Sequence, residues 1–273
     1  MSAPRSDRRI VALSFDLEEF DLPMEHGADI PLDRQMDISR HGTERILHIL
    51  GRHNVKATFF STVNFARHAP ELITRIIAGG HELASHGICH TGFAATDPAA
   101  SRQQLQQLSG KPVAGFRMPR MMRLPEQTIA DAGYSYDSSL NPTFIPGRYM
   151  NLGTPRRPFM KDGVLQIPTS VTPWVRFPLF WLSCHLLPQR LYRGLVRHTL
   201  RHDGYFTTYF HPWEFHDLNT LPPAYRIPPV VRRNSGAGME ERLDKLIAEL
   251  KHAGNEFATY SRLYDRFIGT IRK

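Results

Sequence analysis

The sequence predicts an α/β protein in which seven or eight mostly parallel strands form a distorted (β/α) barrel. Segments rich in β-branched and aromatic residues alternate with segments of helical periodicity, which is typical of strand–helix repeats around a parallel sheet. The length of 273 residues suits one barrel-sized domain. Because no repeat or linker divides the chain, we expect a single domain over residues 1–273, with a long insertion around 141–203.

The elements follow one another in an order that supports the barrel. The predicted strands are residues 10–16, 56–62, 81–85, 113–118, 134–137, 164–168, 205–210 and 256–260. The predicted helices are residues 39–53, 65–78, 98–108, 125–132, 189–202 and 239–252. In the last helix, Leu243, Leu246, Ile247 and Leu250 form an apolar stripe that should pack on the barrel.

Composition narrows the class of protein. With 41% hydrophobic and 22% charged residues, the chain matches an ordinary soluble globular protein. Its net charge of +8 favours polyanionic neighbours, but no DNA- or RNA-binding pattern is present, so nucleic acid is not an expected partner. The two cysteines, Cys89 and Cys184, form no CxxC pair, which favours a reducing compartment.

Two further segments bear on location. Residues 1–9 are basic but lead into a strand and then acids, without a signal peptide's apolar region, so we expect a cytoplasmic protein. The apolar stretch 173–188 is too short to span a bilayer. It precedes four arginines at helical spacing: Arg190, Arg193, Arg197 and Arg201.

This combination has two interpretations. An apolar wedge beside a basic helix face suits the inner face of an anionic membrane and a lipid-linked sugar phosphate. The same residues equally fit an insertion that packs over the barrel and leaves a solvated cationic helix. Flotation with anionic lipid vesicles at low salt separates the two, since no association would exclude the membrane interpretation.

The end of the first strand carries acids. In an extended chain alternate residues share a face, so Asp16 and Glu18 point together while Glu19 points away. In a barrel, functional residues gather at the carboxyl ends of the strands, which is where this pair falls. A solvated acidic loop is the structural alternative.

The third strand leads into His86 and His90, which are four residues apart. On one turn of helix both imidazoles would lie on one side and could reach one ion. Two histidines and one carboxylate suit zinc or another divalent transition metal, with positions left for water and substrate. With 14 histidines in the chain, a chance pair is the alternative.

Two more polar residues follow strands. Arg117 ends the fourth strand and could hold a carboxylate bidentately, although a surface ion pair explains it equally. His211 follows the strand 205–210 and could be a hydrogen-bonded core residue. Polar groups at the ends of four strands nevertheless favour one shared site.

Three strings of residues resemble a known family: KATFF at 56–60, APELI at 69–73, and GHE at 80–82 continuing to His86 and His90. They are similar to the second strand, a helix and the metal-binding motif of the polysaccharide deacetylase family, also called the NodB-homology or carbohydrate esterase 4 group. The resemblance covers residues 10 to about 260. It implies a NodB-type distorted barrel and removal of an N-acyl group, normally acetyl, from an amino sugar in a glycan or lipid-linked saccharide.

The resemblance also implies roles for individual residues. Asp16 would be the general base, Arg117 would orient it, and His211 would be the general acid. His86 and His90 would bind one divalent metal ion, expected to be Zn²⁺. Substrate contacts are expected from three further residues: Pro119, Trp174 and Trp213.

Several positions depart from the family pattern. Leu17 stands where the family usually has the aspartate that binds the metal, and a family variant with an acid two residues after the base nominates Glu18, with Glu19 as its rival. Arg120 replaces an aromatic residue, and no fourth-motif aspartate is found in 166–174. These departures keep two alternatives open: a metal-independent hydrolase of small amides or ureides on the same fold, and a glycan-binding pseudoenzyme. Metal content distinguishes the metal-independent hydrolase from a metal-dependent one. A pseudoenzyme would be expected to lack at least one catalytic group.

Overall fold

The computed structural model describes residues 8–271, so most of the basic segment 1–9 lies outside the described residues. The strands are β1 (Ile10–Leu17), β2 (Thr58–Ser61), β3 (Glu82–Ser85), β4 (Gly115–Phe116), β5 (Tyr136–Asp137), β6 (Phe144–Ile145), β7 (Tyr149–Met150), β8 (Phe159–Lys161), β9 (Val164–Gln166), β10 (Tyr205–Phe210) and β11 (Glu256–Phe257). Each of the eight predicted strands is present. The hairpin β6–β7 and the edge strand β8 were not predicted.

The helices surround this sheet. They are α1 (Leu22–Glu25), α2 (Leu32–His53), α3 (Val63–His68), α4 (Pro70–Ala78), α5 (Asp97–Ser109), α6 (Glu126–Asp131), α7 (Trp181–Leu186), α8 (Gln189–Asp203), α9 (Pro229–Arg232), α10 (Ala237–His252) and α11 (Tyr260–Ile271). The single helix predicted over 65–78 is wrong, because Pro70 cannot donate a backbone hydrogen bond and instead begins a second helix. Residues 256–260 were predicted as one strand, but only β11 is extended and Tyr260 begins α11.

The main sheet confirms the predicted barrel architecture. Its strand order is β10-β1-β2-β3-β4-β5-β9-β8, and β11 pairs with the start of β1. All of these pairs are parallel except β8–β9. Because β8 and β9 both belong to this sheet, residues 141–203 contribute two strands to it as well as loops. The carboxyl ends of the parallel strands therefore meet at one rim.

The barrel is closed irregularly. After β9 the chain runs beside β10, where the backbone N–H of Ser170 donates to the Thr207 carbonyl (3.1 Å). The Thr207 N–H donates in turn to the Ser170 hydroxyl (3.0 Å). Here a backbone hydrogen bond and a hydrogen bond to a side chain take the place of a regular strand ladder, so the barrel closes irregularly.

Apolar residues fill both sides of the sheet. The predicted stripe of α10 is fully buried against the sheet, together with the outward face of β1: Val11, Leu13, Phe15 and Leu17. Inside the barrel, Phe60 and Ala84 pack with Tyr260 and Leu263 of α11. The last helix therefore closes the end of the barrel opposite the functional rim.

The stretch 173–188 is mostly internal. Trp174 (86% exposed) and Val175 (80% exposed) protrude, whereas Leu179, Phe180 and Cys184 are buried. Two of the four arginines on α8, Arg193 and Arg197, pair with Glu249 of α10. Within residues 8–271, every helix is too short or too polar to cross a bilayer. Contact with an anionic membrane surface stays a prediction.

Candidate metal centre and catalytic cavity

A cavity of about 300 Å³ opens at the carboxyl ends of the strands. Three predicted metal ligands, the predicted base and the predicted acid all line it: Glu18, His86, His90, Asp16 and His211. Parallel strands bring their carboxyl ends to one rim, so residues far apart in sequence converge there. The structure thus brings five of the polar residues that the motifs singled out into one cavity.

Glu18 lies between the two imidazoles. Its Oε2 is 3.1 Å from Nε2 of His86 and 3.2 Å from Nε2 of His90. One ligand atom from each of the three side chains lies within 4.8 Å of the others. Glu18 is 3% exposed and His86 is 2% exposed, so these polar groups are held away from bulk water. Two imidazole nitrogens and one carboxylate oxygen form a donor set that fits a catalytic zinc ion.

The other nitrogen of each imidazole is anchored. His86 donates from Nδ1 to the Arg117 carbonyl (2.8 Å), and His90 donates from Nδ1 to the Asp21 carboxylate (2.8 Å). These bonds leave both Nε2 atoms facing Glu18, as metal-binding histidines require. Burial alone would lower the pKa of His90, but the Glu18 and Asp21 carboxylates raise it to about 9. Asp21 was not predicted, because it lies beyond the strand and outside the alternation argument.

Glu19 points to a different environment. Its carboxylate accepts hydrogen bonds from Asn64 Nδ2 (2.5 Å) and from the Thr62 hydroxyl (3.1 Å). Strand alternation predicted this separation of Glu18 from Glu19. The geometry therefore favours Glu18 over Glu19 as a ligand.

Asp16 is held by Arg117. The Nη1 of Arg117 donates to Asp16 Oδ1 over 2.6 Å, and both side chains are buried. The arginine donates further to the Ser138 carbonyl and hydroxyl, the Ser14 hydroxyl and the Tyr260 hydroxyl. All five N–H donors are therefore used. Such a fully satisfied guanidinium is a rigid support for a carboxylate.

His211 sits in an aromatic frame. Its ring stacks on Trp213 with centroids 4.8 Å apart and contacts Trp181 edge-on at 5.3 Å. Nδ1 donates to Glu214 Oε1 (3.1 Å), which also accepts the backbone N–H of His211 (2.6 Å). Its Nε2, 3.9 Å from Glu18 Oε1, faces the cavity.

The pKa shifts of His211 and Glu214 both favour the neutral form of the side chain. Burial, with the charges that His90 and His86 carry when protonated, lowers the pKa of His211 well below its usual value. Burial also raises the pKa of Glu214 well above its usual value; the His211 backbone N–H opposes this shift and the nearby carboxylates reinforce it. A neutral Glu214 that accepts from Nδ1 would fix the ring tautomer without forming an ion pair.

Of the three residues predicted to contact substrate, only Trp213 lines the cavity. Trp213 lines the cavity, and its indole N–H points to Glu18 Oε1 at 3.3 Å. Trp174 does not reach the cavity, because it protrudes from a loop and its ring contacts His202. Pro119 is buried beside Gly87 and is not a lining residue.

Other residues form the wall instead. Trp181, together with its neighbours Phe180 and Leu182, comes from the apolar stretch that suggested membrane contact. The hairpin β6–β7 adds Ile145, Arg148 and Tyr149. In the sequence, the only indication of these wall residues was the apolar stretch that leads into α7. The fold is needed to show that α7 faces the rim.

Part of the sequence is similar to that of known deacetylases. Residues 4–136 match the family described as polysaccharide deacetylase. A chitooligosaccharide deacetylase of Bradyrhizobium sp. (strain ANU 289) is 34% identical over 85 residues, which cover 30% of this chain and 39% of that protein. The chain matches between a quarter and two fifths of the length of this and two other chitooligosaccharide deacetylases.

Solved structures share the fold over nearly the whole chain. A Mycobacterium smegmatis protein described as a polysaccharide deacetylase superposes with a TM-score of 0.66 at 20% identity, covering 99% of this chain and 93% of that one. An allantoinase superposes with a TM-score of 0.63 at 16% identity, covering 97% and 92%. At these identities the likeness shows the fold alone.

Proposed function

We propose that this chain, which is similar to the polysaccharide deacetylase family over residues 4–136, is a metal-dependent hydrolase that removes an N-acetyl group from an amino sugar in a glycan. One observation carries the proposal. Glu18 Oε2 meets the Nε2 atoms of His86 and His90 in a cavity that also holds Asp16 and His211. All the residues to which we assign catalytic or metal-binding roles are present, which weighs against a glycan-binding pseudoenzyme.

Glu18, His86 and His90 would hold the ion, and zinc suits this set of two imidazole nitrogens and one carboxylate oxygen. Acceptors on Nδ1 already orient both imidazoles. When bound, such an ion supplies Lewis-acid polarisation of an acyl oxygen and lowers the pKa of water. The chain's own residues would supply the remaining steps.

Amide hydrolysis requires a base for the attacking water and an acid for the departing amine. Asp16 would take the proton from the water, since Arg117 occupies only one of its oxygens and holds that oxygen in place. The resting His211 ring carries its proton on Nδ1, so Nε2 would first take up a proton, such as the one that Asp16 removes from the water, and then deliver it to the amine nitrogen. Acid–base catalysis of this kind contributes about 10²–10⁴ in rate.

The wall supports a substrate with both apolar and anionic parts. Phe180, Trp181 and Leu182 provide an apolar surface, and Arg148 places a guanidinium at the mouth beside Tyr149. Amino sugars within a polymer or on a lipid-linked saccharide phosphate both fit this surface. We include the lipid-linked saccharide phosphate as a more specific form of the proposed substrate.

The test combines metal content with acetate release. We expect about one metal ion per chain by elemental mass spectrometry, and release of acetate from N-acetylglucosamine oligomers that chelator abolishes and Zn²⁺ restores. His86→Ala, purified in parallel, controls for contaminating hydrolases. A folded, metal-loaded protein that releases no acetate from oligomers or lipid-linked saccharides would contradict the proposal.

The same measurement addresses the alternative on this fold. A metal-independent hydrolase of small amides or ureides would purify without metal and would hydrolyse a ureide in the presence of chelator. The converging ligand atoms of Glu18, His86 and His90 favour the metal-dependent reaction.

Glu214 gives a prediction about His211. Because burial favours its neutral form, Glu214→Gln should keep an oxygen for Nδ1 and retain kcat within about tenfold, whereas Glu214→Ala should lose about 10–100-fold. Nitrogen NMR of the His211 ring should show Nδ1–H in wild type and Glu214→Gln, and mixed tautomers in Glu214→Ala. Equal kcat and equal spectra in all three proteins would show that Glu214 does not position the ring.

A further inference from the structure

A second cavity lies beside the catalytic one and has no part in the proposed chemistry. Its volume is about 370 Å³. It is lined by residues from the loop after β4, the ends of β5 and β9, and the 153–161 segment. We call it the Gln166 cavity. Its size falls within the range of small-molecule sites.

Three neighbouring strands place a row of side chains at this cavity. Phe159 of β8 pairs with Gln166 of β9, and Gln166 pairs with Asp137 of β5. Residues in register on adjacent strands point to the same face, so an aromatic ring, an amide and a carboxyl stand side by side. The ring of Phe159 thus provides a flat apolar surface, and Gln166 and Asp137 beside it provide hydrogen-bond donors and acceptors.

The amide in this row lacks a protein partner. Gln166 is 1% exposed, and neither its nitrogen nor its oxygen has a hydrogen-bond partner among the described residues. Leaving a buried polar group unpaired costs about 1–3 kcal/mol, so such a group indicates a missing partner. A ligand with hydroxyl groups could satisfy both atoms.

The carboxyl beside it is also suited to hydroxyl groups. Asp137 is 6% exposed and accepts a hydrogen bond from the Ser139 hydroxyl. Burial raises the pKa of Asp137 to about 7, so near neutral pH the carboxyl can both donate and accept. The cations at the cavity are already engaged, since Lys161 pairs with Glu126 (2.7 Å) and Arg123 binds Asn151. A neutral polyol therefore fits better than an anion.

The two cavities are adjacent. Met118, Arg120 and Met121 line the catalytic cavity, whereas Met122, Arg123 and Leu124 line the Gln166 cavity. One short segment thus separates them at the same rim, which would let one oligosaccharide contact both.

We propose that the row formed by Phe159, Gln166 and Asp137 binds a neutral sugar unit of the glycan, apart from the unit whose amide is cleaved. The ring of Phe159 would pack against the sugar face, and the amide and carboxyl would bind its hydroxyl groups. The identity of the ligand as a sugar rests on the proposed function. The site itself rests on the row and the unpaired amide.

The test is equilibrium binding of N-acetylglucosamine oligomers of one to six units, measured by calorimetry on metal-loaded Asp16→Asn so that no turnover occurs. Adding Gln166→Leu should weaken binding of the longer oligomers at least about tenfold and leave the monomer unchanged, because two hydrogen bonds are lost. Thr169→Val is the matched control, since it also removes a buried, unpartnered polar atom but lies outside both cavities.

Stability separates a binding role from a structural one. Gln166→Leu removes unpaired polar atoms and should melt at or above the wild-type temperature, as should Thr169→Val. If Gln166→Leu fails to fold, Phe159→Leu at the partly exposed edge strand provides the second variant, with the same expected loss for long oligomers.

Two results would overturn the proposal: long oligomers bound equally by wild type and a folded Gln166→Leu, or by wild type and Phe159→Leu. The cavity would then hold ordered water only. Failure of the proposed function is distinguishable, because it would appear as absent acetate release while length-dependent binding still required Gln166. Conversely, chelator-sensitive acetate release together with oligomer binding that does not depend on Gln166 would support the proposed function and overturn the second sugar site.

Discussion

Asp16→Asn is expected to lower kcat for acetate release by about 10²–10⁴-fold while the protein stays folded and keeps its metal. The amide oxygen can still accept the hydrogen bond from Arg117 Nη1, so the buried guanidinium keeps its partner. The amide cannot, however, take a proton from water. Steady-state kinetics, circular dichroism and metal content on the same preparation would measure the three parts of this expectation.

A control variant for Asp16→Asn should remove a carboxylate that lies in the same cavity but has no proposed catalytic role. Glu25 lines the cavity and pairs with Arg120, so Glu25→Gln changes the local charge without removing a proposed catalytic group. It should retain most activity. His211→Ala should resemble Asp16→Asn, since the departing amine then lacks its acid. Full activity in Asp16→Asn or in His211→Ala would show that the assigned role is wrong.

Glu18→Ala is expected to weaken metal binding by at least about 100-fold, whereas Glu19→Gln should keep near-stoichiometric metal. Glu18 contributes the oxygen that lies within 3.2 Å of both imidazole Nε2 atoms. Glu19 is instead engaged by Asn64 and Thr62, and glutamine preserves its shape there. Competition with a fluorescent zinc chelator would provide both affinities.

The two acids are adjacent in sequence and similarly buried, so each variant controls for the other. His86→Ala should lose metal as Glu18→Ala does. Metal retained in folded Glu18→Ala would exclude Glu18 as the ligand, and metal lost in folded Glu19→Gln would show that Glu19 is required as well.

The regular part of this molecule could be predicted because it follows from local rules. Strand alternation separated Glu18 from Glu19, and the barrel rule gathered Asp16, Arg117 and His211 at one rim. These inferences need only the direction of a strand and the position of its end.

Residues that approach the site from loops and short helices could not be predicted in the same way. Trp174 was expected at the wall because it lies in the region of the family's fourth motif, but its loop turns outward and Trp181 of α7 lines the cavity. Asp21 and Glu214 act through hydrogen bonds to His90 and His211, and sequence spacing alone does not show which carboxylates face which rings. Long-range packing decides these positions.

The helix that closes the barrel has a consequence for how the protein is made. The candidate metal ligands lie within the first 90 residues, at the ends of consecutively paired strands, whereas His211 and the Tyr260 hydroxyl that contacts Arg117 are translated much later. During synthesis on the ribosome, the ligands therefore emerge well before the proton donor and the last support of the base. The three candidate ligands are thus translated as one early block, separate from the candidate proton donor.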